Sequence, residues 1–364
     1  MSAPTSSSAA AAVAAAAAAS SSPSSPLPYH AEAAAAARAV RLASKLCERV
    51  QATLGTGEKS DKEDDSPVTV ADYGAQALVA FSLTRGPGLS SAPSAPFSMV
   101  AEEDSADLCD PAKNGPRMTE RITQLVNEVL RDEGLVGDGG AAAAAQSQSP
   151  PLSAEEVLSL IDLGSSAGGS EGRHWVLDPI DGTRGFVGKR QYAVCLALLD
   201  AGELAVGVLG CPNVPSDRAL ADGDGGEQEG LGRRRAGRGA LFWGTRGGGA
   251  YVQPLHHPDG DDDDGSGGGG GGRRERDLLE GSTRLSVEAG AGAGAGRGDR
   301  SKIRFMESFD SRHSDFSTAA RLAAALGVTS PSLRLDSQAK YGCLARGDAA
   351  INLRFPRKVG SFFF

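Results

Sequence analysis

The sequence predicts a layered α/β fold, with a mostly antiparallel first sheet and a smaller α/β second part. Three observations carry that prediction. Apolar, β-favouring runs at Val68–Val70, Phe97–Ala101 and Trp175–Leu177 each close on carboxylates. Two strand-like runs, Ala193–Leu199 and Leu204–Leu209, lie close enough together to form a hairpin. Segments of helical periodicity alternate with these strands, and 364 residues suffice for two substantial layers.

Residues 1–28 are almost wholly Ala, Ser and Pro, the composition of a disordered leader or, for a plastid or mitochondrial protein, of a transit peptide. The Ala9–Ala19 run is too short and too weakly apolar to cross a bilayer. From Glu32 to Leu54 the spacing of Val40, Leu42, Leu46, Val50 and Leu54 predicts an amphipathic first helix. Ser66-Pro67 then opens a short strand over Val68–Val70, and Asp72 stands where a helix over Ala71–Leu83 would begin, either as its cap or as a functional acid. The apolar run from Phe97 ends in Glu102, Glu103 and Asp104, which read either as a binding loop or as an acidic strand end facing water. Helices follow over Thr119–Arg131 and Ala154–Leu163, separated by a low-complexity spacer from Gly139 to Pro151. Beyond the hairpin, Gly223–Gly239 and Asp259–Gly298 read as surface loops unable to bury a core. The glycine tract at 267–272 has neither a strand before it nor a GK[ST] ending, so it does not read as a phosphate-binding loop.

The densest chemistry lies in W-V-L-D-P-I-D-G-T-R-G, from Trp175 to Gly185. Pro179 and Gly182 are poor strand residues, so the strand should end near Asp178 and turn at once, projecting Asp178, Asp181 and Thr183 from one loop. Oxygen donors at this spacing, with the Ile180 carbonyl as a further candidate, suit Mg²⁺. The alternative is an ordinary surface turn with Asp and Gly in favoured places.

A net charge of −9 and a pI near 5.2 argue against general binding to nucleic acid or to anionic membranes. The five cysteines, Cys47, Cys109, Cys195, Cys211 and Cys343, are odd in number and widely spaced, and read as free core thiols.

Further motifs extend the pattern: S-P-V-T-V-A-D-Y at 66–73, A-E-E-D-S at 101–105, Y-A-V-C-L-A-L-L at 192–199 and L-D-S-Q-A-K-Y at 335–341. With the Trp175 segment they resemble the lithium-sensitive, magnesium-dependent phosphatase superfamily of inositol monophosphatase and fructose-1,6-bisphosphatase. Within it, the narrower likeness is to the 3'(2'),5'-bisphosphate nucleotidase family, from about Ala33 to Lys358. The resemblance implies an alternating αβαβα sandwich. Glu102, Asp178, Ile180 through its carbonyl and Asp181 match the family's metal ligands for Mg²⁺, and Asp72 and Thr183 match the pair that polarises the attacking water. Glu103 would steady a metal-bound water. Thr183, His313, Ser337, Lys340 and Arg354 match positions that hold a nucleoside monophosphate.

The implied activity is removal of the 3'-phosphate of adenosine 3',5'-bisphosphate, and possible action on its sulfated form, in sulfur assimilation. The alternatives are an inositol phosphate phosphatase and a non-catalytic product that keeps nucleotide or metal binding. The implied partner is this small nucleotide, with no nucleic acid and no membrane, acting on a monomer in the cytoplasm or in an organelle. The implied division is a leader at 1–28, a metal-binding α+β domain at 29–255, an insertion at 256–300 and an incomplete substrate-binding domain at 301–364. In the superfamily a W-D-H-A-A-like segment follows with another metal-ligand aspartate. Here no Asp or Glu occurs after Asp348, which the family places at a turn into a strand, so a C-terminally truncated form of the sandwich is expected.

Overall fold

The computed structural model describes residues 27–54, 67–86, 97–137, 149–216, 238–256, 278–286, 303–309 and 315–355. Two long helices, α1 (His30–Thr53) and α2 (Pro67–Arg85), pack against each other and against the first sheet. The first is amphipathic as its periodicity predicts, burying Val40, Leu46 and Val50. The second is buried on all sides: from Val70 to Leu83 every residue except Asp72 is buried. That burial corrects the expected strand at Val68–Val70. These β-branched residues form the first turns of α2, behind Pro67, whose fixed φ suits a first helical position. Tertiary packing outweighs their modest strand preference, so Asp72 lies inside the helix and does not cap it.

After β1 (Met99–Val100) come the short α3 (Ala106–Cys109), then α4 (Gly115–Asp132) and α5 (Ala154–Asp162). The last opens on a capping box between Ser153 and Glu156. The first sheet has the order β1-β2-β3-β4-β5-β6-β7, comprising β2 (Arg173–Asp181), β3 (Ala193–Asp200), β4 (Glu203–Pro215), β5 (Arg238–Thr245), β6 (Gly249–Pro254) and β7 (Thr283–Arg284). Only β1 pairs with its neighbour in parallel; the remaining pairs are antiparallel. Val194, Leu196 and Leu198 face the helices, while Ala193 and Cys195 face the second part of the molecule. Both faces of the sheet are covered, which is why β3 reads as a continuous apolar run.

Two further expectations are corrected. Strand β2 continues through Pro179 to Asp181, with a register shift between Asp178 and Asp181. Pairing with β1 stops at Val176, so the missing Pro179 N–H interrupts no ladder on that side. The Asp259–Gly298 loop is not wholly peripheral either: β7 pairs with β6 along Tyr251 and Val252, and Leu278 is buried in the main core. The rest of that loop, and most of Gly223–Gly239, lies outside the described residues.

A second, parallel sheet of order β10-β8-β9 is formed by β8 (Phe305–Ser308), β9 (Leu333–Leu335) and β10 (Ile351–Leu353). Helix α8 (Ala339–Arg346) lies against the first sheet so closely that a Cβ on Gly342 would sit 2.5 Å from the Phe242 ring. Met306, Leu333, Leu335 and Cys343 share a core with Ala240, Phe242 and Val252 of the first sheet. Helix α7 (Phe316–Leu326) covers the other side through Ala319 against Phe305 and Leu353. All five cysteines are free, and Cys47, Cys211 and Cys343 are buried. Cys109 is exposed, against the expectation of a core thiol, because α3 turns only Leu108 inward. Among the described residues no helix is long and apolar enough to cross a membrane.

Candidate active site

Three segments bring their acids to one end of the first sheet. Asp72 comes from α2, Glu102 and Glu103 from the loop after β1, and Asp178 and Asp181 from the bulged end of β2. Their electrostatic coupling joins them: Asp72 feels Glu103, Asp178 and Glu102, and Asp178 feels Asp181 and Glu102. Burial and then mutual repulsion push the Asp72 carboxyl up to about 8 and that of Asp178 up to about 7. Burial also raises Glu103, opposed by a hydrogen bond from the Tyr73 hydroxyl, whose own proton is correspondingly held more tightly.

The chain turns at Gly182 (φ +88°), in the left-handed region, into the single-turn helix α6 (Thr183–Val187). The turn is braced from below. The Gln51 Nε2 donates to the Phe186 carbonyl at 2.9 Å, and Asn213 Nδ2 donates to the Arg190 carbonyl at 2.6 Å. Thr183 is exposed, and its hydroxyl donates to the Ile180 carbonyl at 3.5 Å. Helices α2 and α6 touch, which brings the Thr183 segment beside that of Asp72.

The second part of the molecule reaches this turn through Asp336-Ser337-Gln338. The Gln338 backbone N–H donates to the Asp181 carboxylate, and Ser337 (φ +64°) stacks directly on Gly182, where a Cβ would approach Ser337 Cβ to 2.7 Å. Ser337 Oγ accepts from the Ala339 N–H at 3.1 Å, and Lys340 Nζ donates to the Ser337 carbonyl at 2.9 Å. Burial lowers the Lys340 amine, while Asp181 and Asp336 oppose that and Arg354 adds to it. Lys340 and the exposed Arg354 therefore form a cationic edge to the acidic cluster. His313 lies outside the described residues, as do Ser66 and residues 356–364.

Several contacts were not foreseen in the sequence. Arg190 pairs with Asp336 at 3.2 Å from both Nε and Nη2, and its guanidinium lies 4.6 Å from the centre of the Phe309 ring. Gln76, fully buried in α2, bonds to the acidic loop. An amide four residues after Asp72 in an otherwise apolar helix was the one legible signal, since buried amides need partners. Asp348, the last acid in the sequence, is engaged with Arg346 at 2.6 Å and is fully buried away from this cluster.

The donor set fits a hard divalent cation by type and charge. Half-buried carboxylates that raise one another's pKa values are stabilised by a cation between them, and all candidate donors are oxygens. Among the described residues no three His, Cys, Asp or Glu side chains converge as a ready-made cage.

A family model described as the inositol monophosphatase family matches residues 29–360. The 3'(2'),5'-bisphosphate nucleotidase 1 of Arabidopsis thaliana is 40% identical over 333 residues, covering 91% of this chain and 79% of that protein. A 3'(2'),5'-bisphosphate nucleotidase of Oryza sativa is 42% identical over 334 residues, covering 91% of this chain and 77% of that protein. A fungal 3'(2'),5'-bisphosphate nucleotidase, from Emericella nidulans, is 35% identical over 91% of this chain and 81% of its own length. With its acidic cluster at the strand ends of a mixed α/β fold, the chain belongs to the inositol monophosphatase family, whose members are metal-dependent.

Proposed function

We propose that the chain is a Mg²⁺-dependent 3'(2'),5'-bisphosphate nucleotidase, a phosphatase that converts adenosine 3',5'-bisphosphate to AMP and phosphate. The observation that carries this reading is the junction at Asp181. There an acidic cluster of oxygen donors meets the Ser337–Lys340 segment and its cation, Lys340. Relatives with the nucleotidase name over about nine-tenths of this chain support the same substrate class.

Glu102, Asp178, Asp181 and the Ile180 carbonyl would hold the ion, which supplies neutralisation of the phosphoryl oxygens and acidifies a water. Asp72 is the proton acceptor. Burial and the neighbouring acids push its carboxyl up to about 8 without an ion, and compensation of the cluster's negative charge would lower it and free the carboxylate to accept a proton. Thr183 would pass that proton on, a role in which its hydroxyl turns from the Ile180 carbonyl towards the attacking water and Asp72. Lys340 and Arg354 hold phosphate oxygens of the nucleotide, the guanidinium by two parallel bonds and the ammonium as a point charge. Ser337 would add a polar contact to the nucleotide, and His313, outside the described residues, is assigned the same role by the family resemblance alone.

Substrate competition tests this reading. Purified protein with Mg²⁺ should release phosphate from adenosine 3',5'-bisphosphate at least about a hundredfold faster, by kcat/KM, than from inositol 1-phosphate. A preference for inositol 1-phosphate overturns the assignment. A residue-level arm accompanies it: Arg354→Ala should raise KM about tenfold or more, with a smaller change in kcat.

A further inference from the structure

Gln76 occupies a place that no metal or substrate contact explains. It is fully buried, one helical turn beyond Asp72 on the same face of α2. Its amide makes three hydrogen bonds. The Oε1 accepts from the Glu103 N–H at 3.1 Å, and the Nε2 donates to the Glu103 carbonyl at 2.6 Å and to the Ile161 carbonyl at 2.8 Å. The residue whose side chain belongs to the acidic cluster is thus gripped at both of its backbone groups by the helix that carries Asp72. Space for the amide is left by Gly164, where a Cβ would stand 2.5 Å from Nε2 and 2.9 Å from Ala101 Cβ.

Other contacts hold the loop's ends: the Ala101 N–H donates to the Gly164 carbonyl at 2.9 Å, and Ser105 bonds to Asp162 at 2.9 and 2.8 Å. Both are made to the end of α5 and the residues just after it. Gln76 ties the backbone of the loop's centre to α2, while Tyr73 of the same helix reaches the Glu103 side chain, so Gln76 fixes where the backbone of the Glu102–Glu103 pair stands relative to Asp72.

We infer that Gln76 is a positioning residue for the metal site, holding the Glu102–Glu103 loop in register with Asp72, with Gly164 as the vacancy that admits it. Burying an amide with both donors and its acceptor used costs little while those bonds are made. Removing them leaves the Ile161 carbonyl unpaired in a buried place and the half-buried Glu103 N–H and carbonyl without partners, which favours movement of the loop. This rests on the nucleotidase reading for what the loop holds, though not for the clamp itself.

The test uses Gln76→Met, which keeps length and removes the polar atoms, with Ile122→Ala as a control that removes core volume from α4 at a fully buried position away from the loop. Gly164→Ala is the milder second variant if Gln76→Met does not fold. Mg²⁺ binding by calorimetry, hydrogen exchange of the Ala101–Ser105 amides, and melting temperature are measured on all four proteins. The expected result is Mg²⁺ binding about 10- to 100-fold weaker and faster loop exchange in Gln76→Met, with a smaller change of both in Gly164→Ala. Ile122→Ala melts lower and keeps both readouts. Wild-type binding and loop protection in Gln76→Met, or an equal loss in Ile122→Ala, overturns the inference. If the wild type binds no Mg²⁺ yet Gln76→Met loosens the loop, the clamp stands and the metal-phosphatase reading fails.

Discussion

Asp72 is the only residue of α2 between Val70 and Leu83 that keeps partial exposure, and Glu103, Asp178 and Glu102 all act on its largely buried carboxyl. Its carboxyl titrates near 8 and that of Asp178 near 7 in the ion-free protein, both above the ordinary value near 4. A carboxyl raised on folding holds its proton better in the folded state. Its contribution to stability is therefore full below the unfolded value and is lost as pH rises through the folded one. In excess chelator the stability should rise as pH is lowered from about 8 to about 6, by an amount on the order of 2 kcal/mol, read as a higher melting temperature. Asp72→Asn should flatten that slope and raise the melting temperature at the upper end, while reducing turnover about a hundredfold or more. A chelated protein that gains stability as pH rises over this range contradicts the account. The sequence marked Asp72, Glu102, Asp178 and Asp181, because carboxylates ending apolar runs are visible in one dimension. It gave no sign of the Arg190–Asp336 pair, whose partners are far apart in the chain and meet only when the second part folds onto the first.

The turn after β2 is where two elements meet most closely. Gly182, at φ +88°, lies under Ser337, itself at φ +64°. Gly182→Ala would place a methyl in a backbone region that L-residues enter at a cost and against Ser337 Cβ at 2.7 Å. The expected loss is about 1 to 3 kcal/mol of stability, read by denaturant midpoint, together with a raised KM as Ser337 and Lys340 shift away. Unchanged stability and KM would show that this approach positions nothing. Helices with one wet face were legible by period, as α1 and α4 show, and the β3–β4 hairpin was legible as two apolar runs close in sequence. The type of a helix buried on all sides was not. The start of α2 reads as a strand because Val68, Thr69 and Val70 are β-branched, and the burial that makes it a helix is a property of the assembled layers. The end of β2 was misjudged because Pro179 sits at a bulge that local pattern does not encode. Strand β7 was hidden inside low-complexity sequence, where two residues of pairing leave no periodic trace.

On the scale of the whole molecule, helices cover one face of the first sheet and the second sheet approaches the other through α8. The closest approach is Gly342 against Phe242. Gly342→Val should push α8 off the sheet, lowering the melting temperature by several degrees and weakening nucleotide binding, while Mg²⁺ binding at the first sheet persists. Parallel loss of both would mean that the acidic cluster depends on the second part for its own shape. The layered class was readable from alternating periodicities, and the order of strands was not, since sheet topology depends on pairings made over long sequence separations. The central claim is that the acidic cluster is a divalent-ion phosphatase site acting on adenosine 3',5'-bisphosphate. Its most direct test is phosphate release from that nucleotide as Mg²⁺ is titrated into metal-free wild type and Asp181→Asn. The account predicts saturable activation of the wild type and at least about a hundredfold less turnover in Asp181→Asn at every Mg²⁺ concentration. Release that persists in chelator, or that survives Asp181→Asn undiminished, would contradict it.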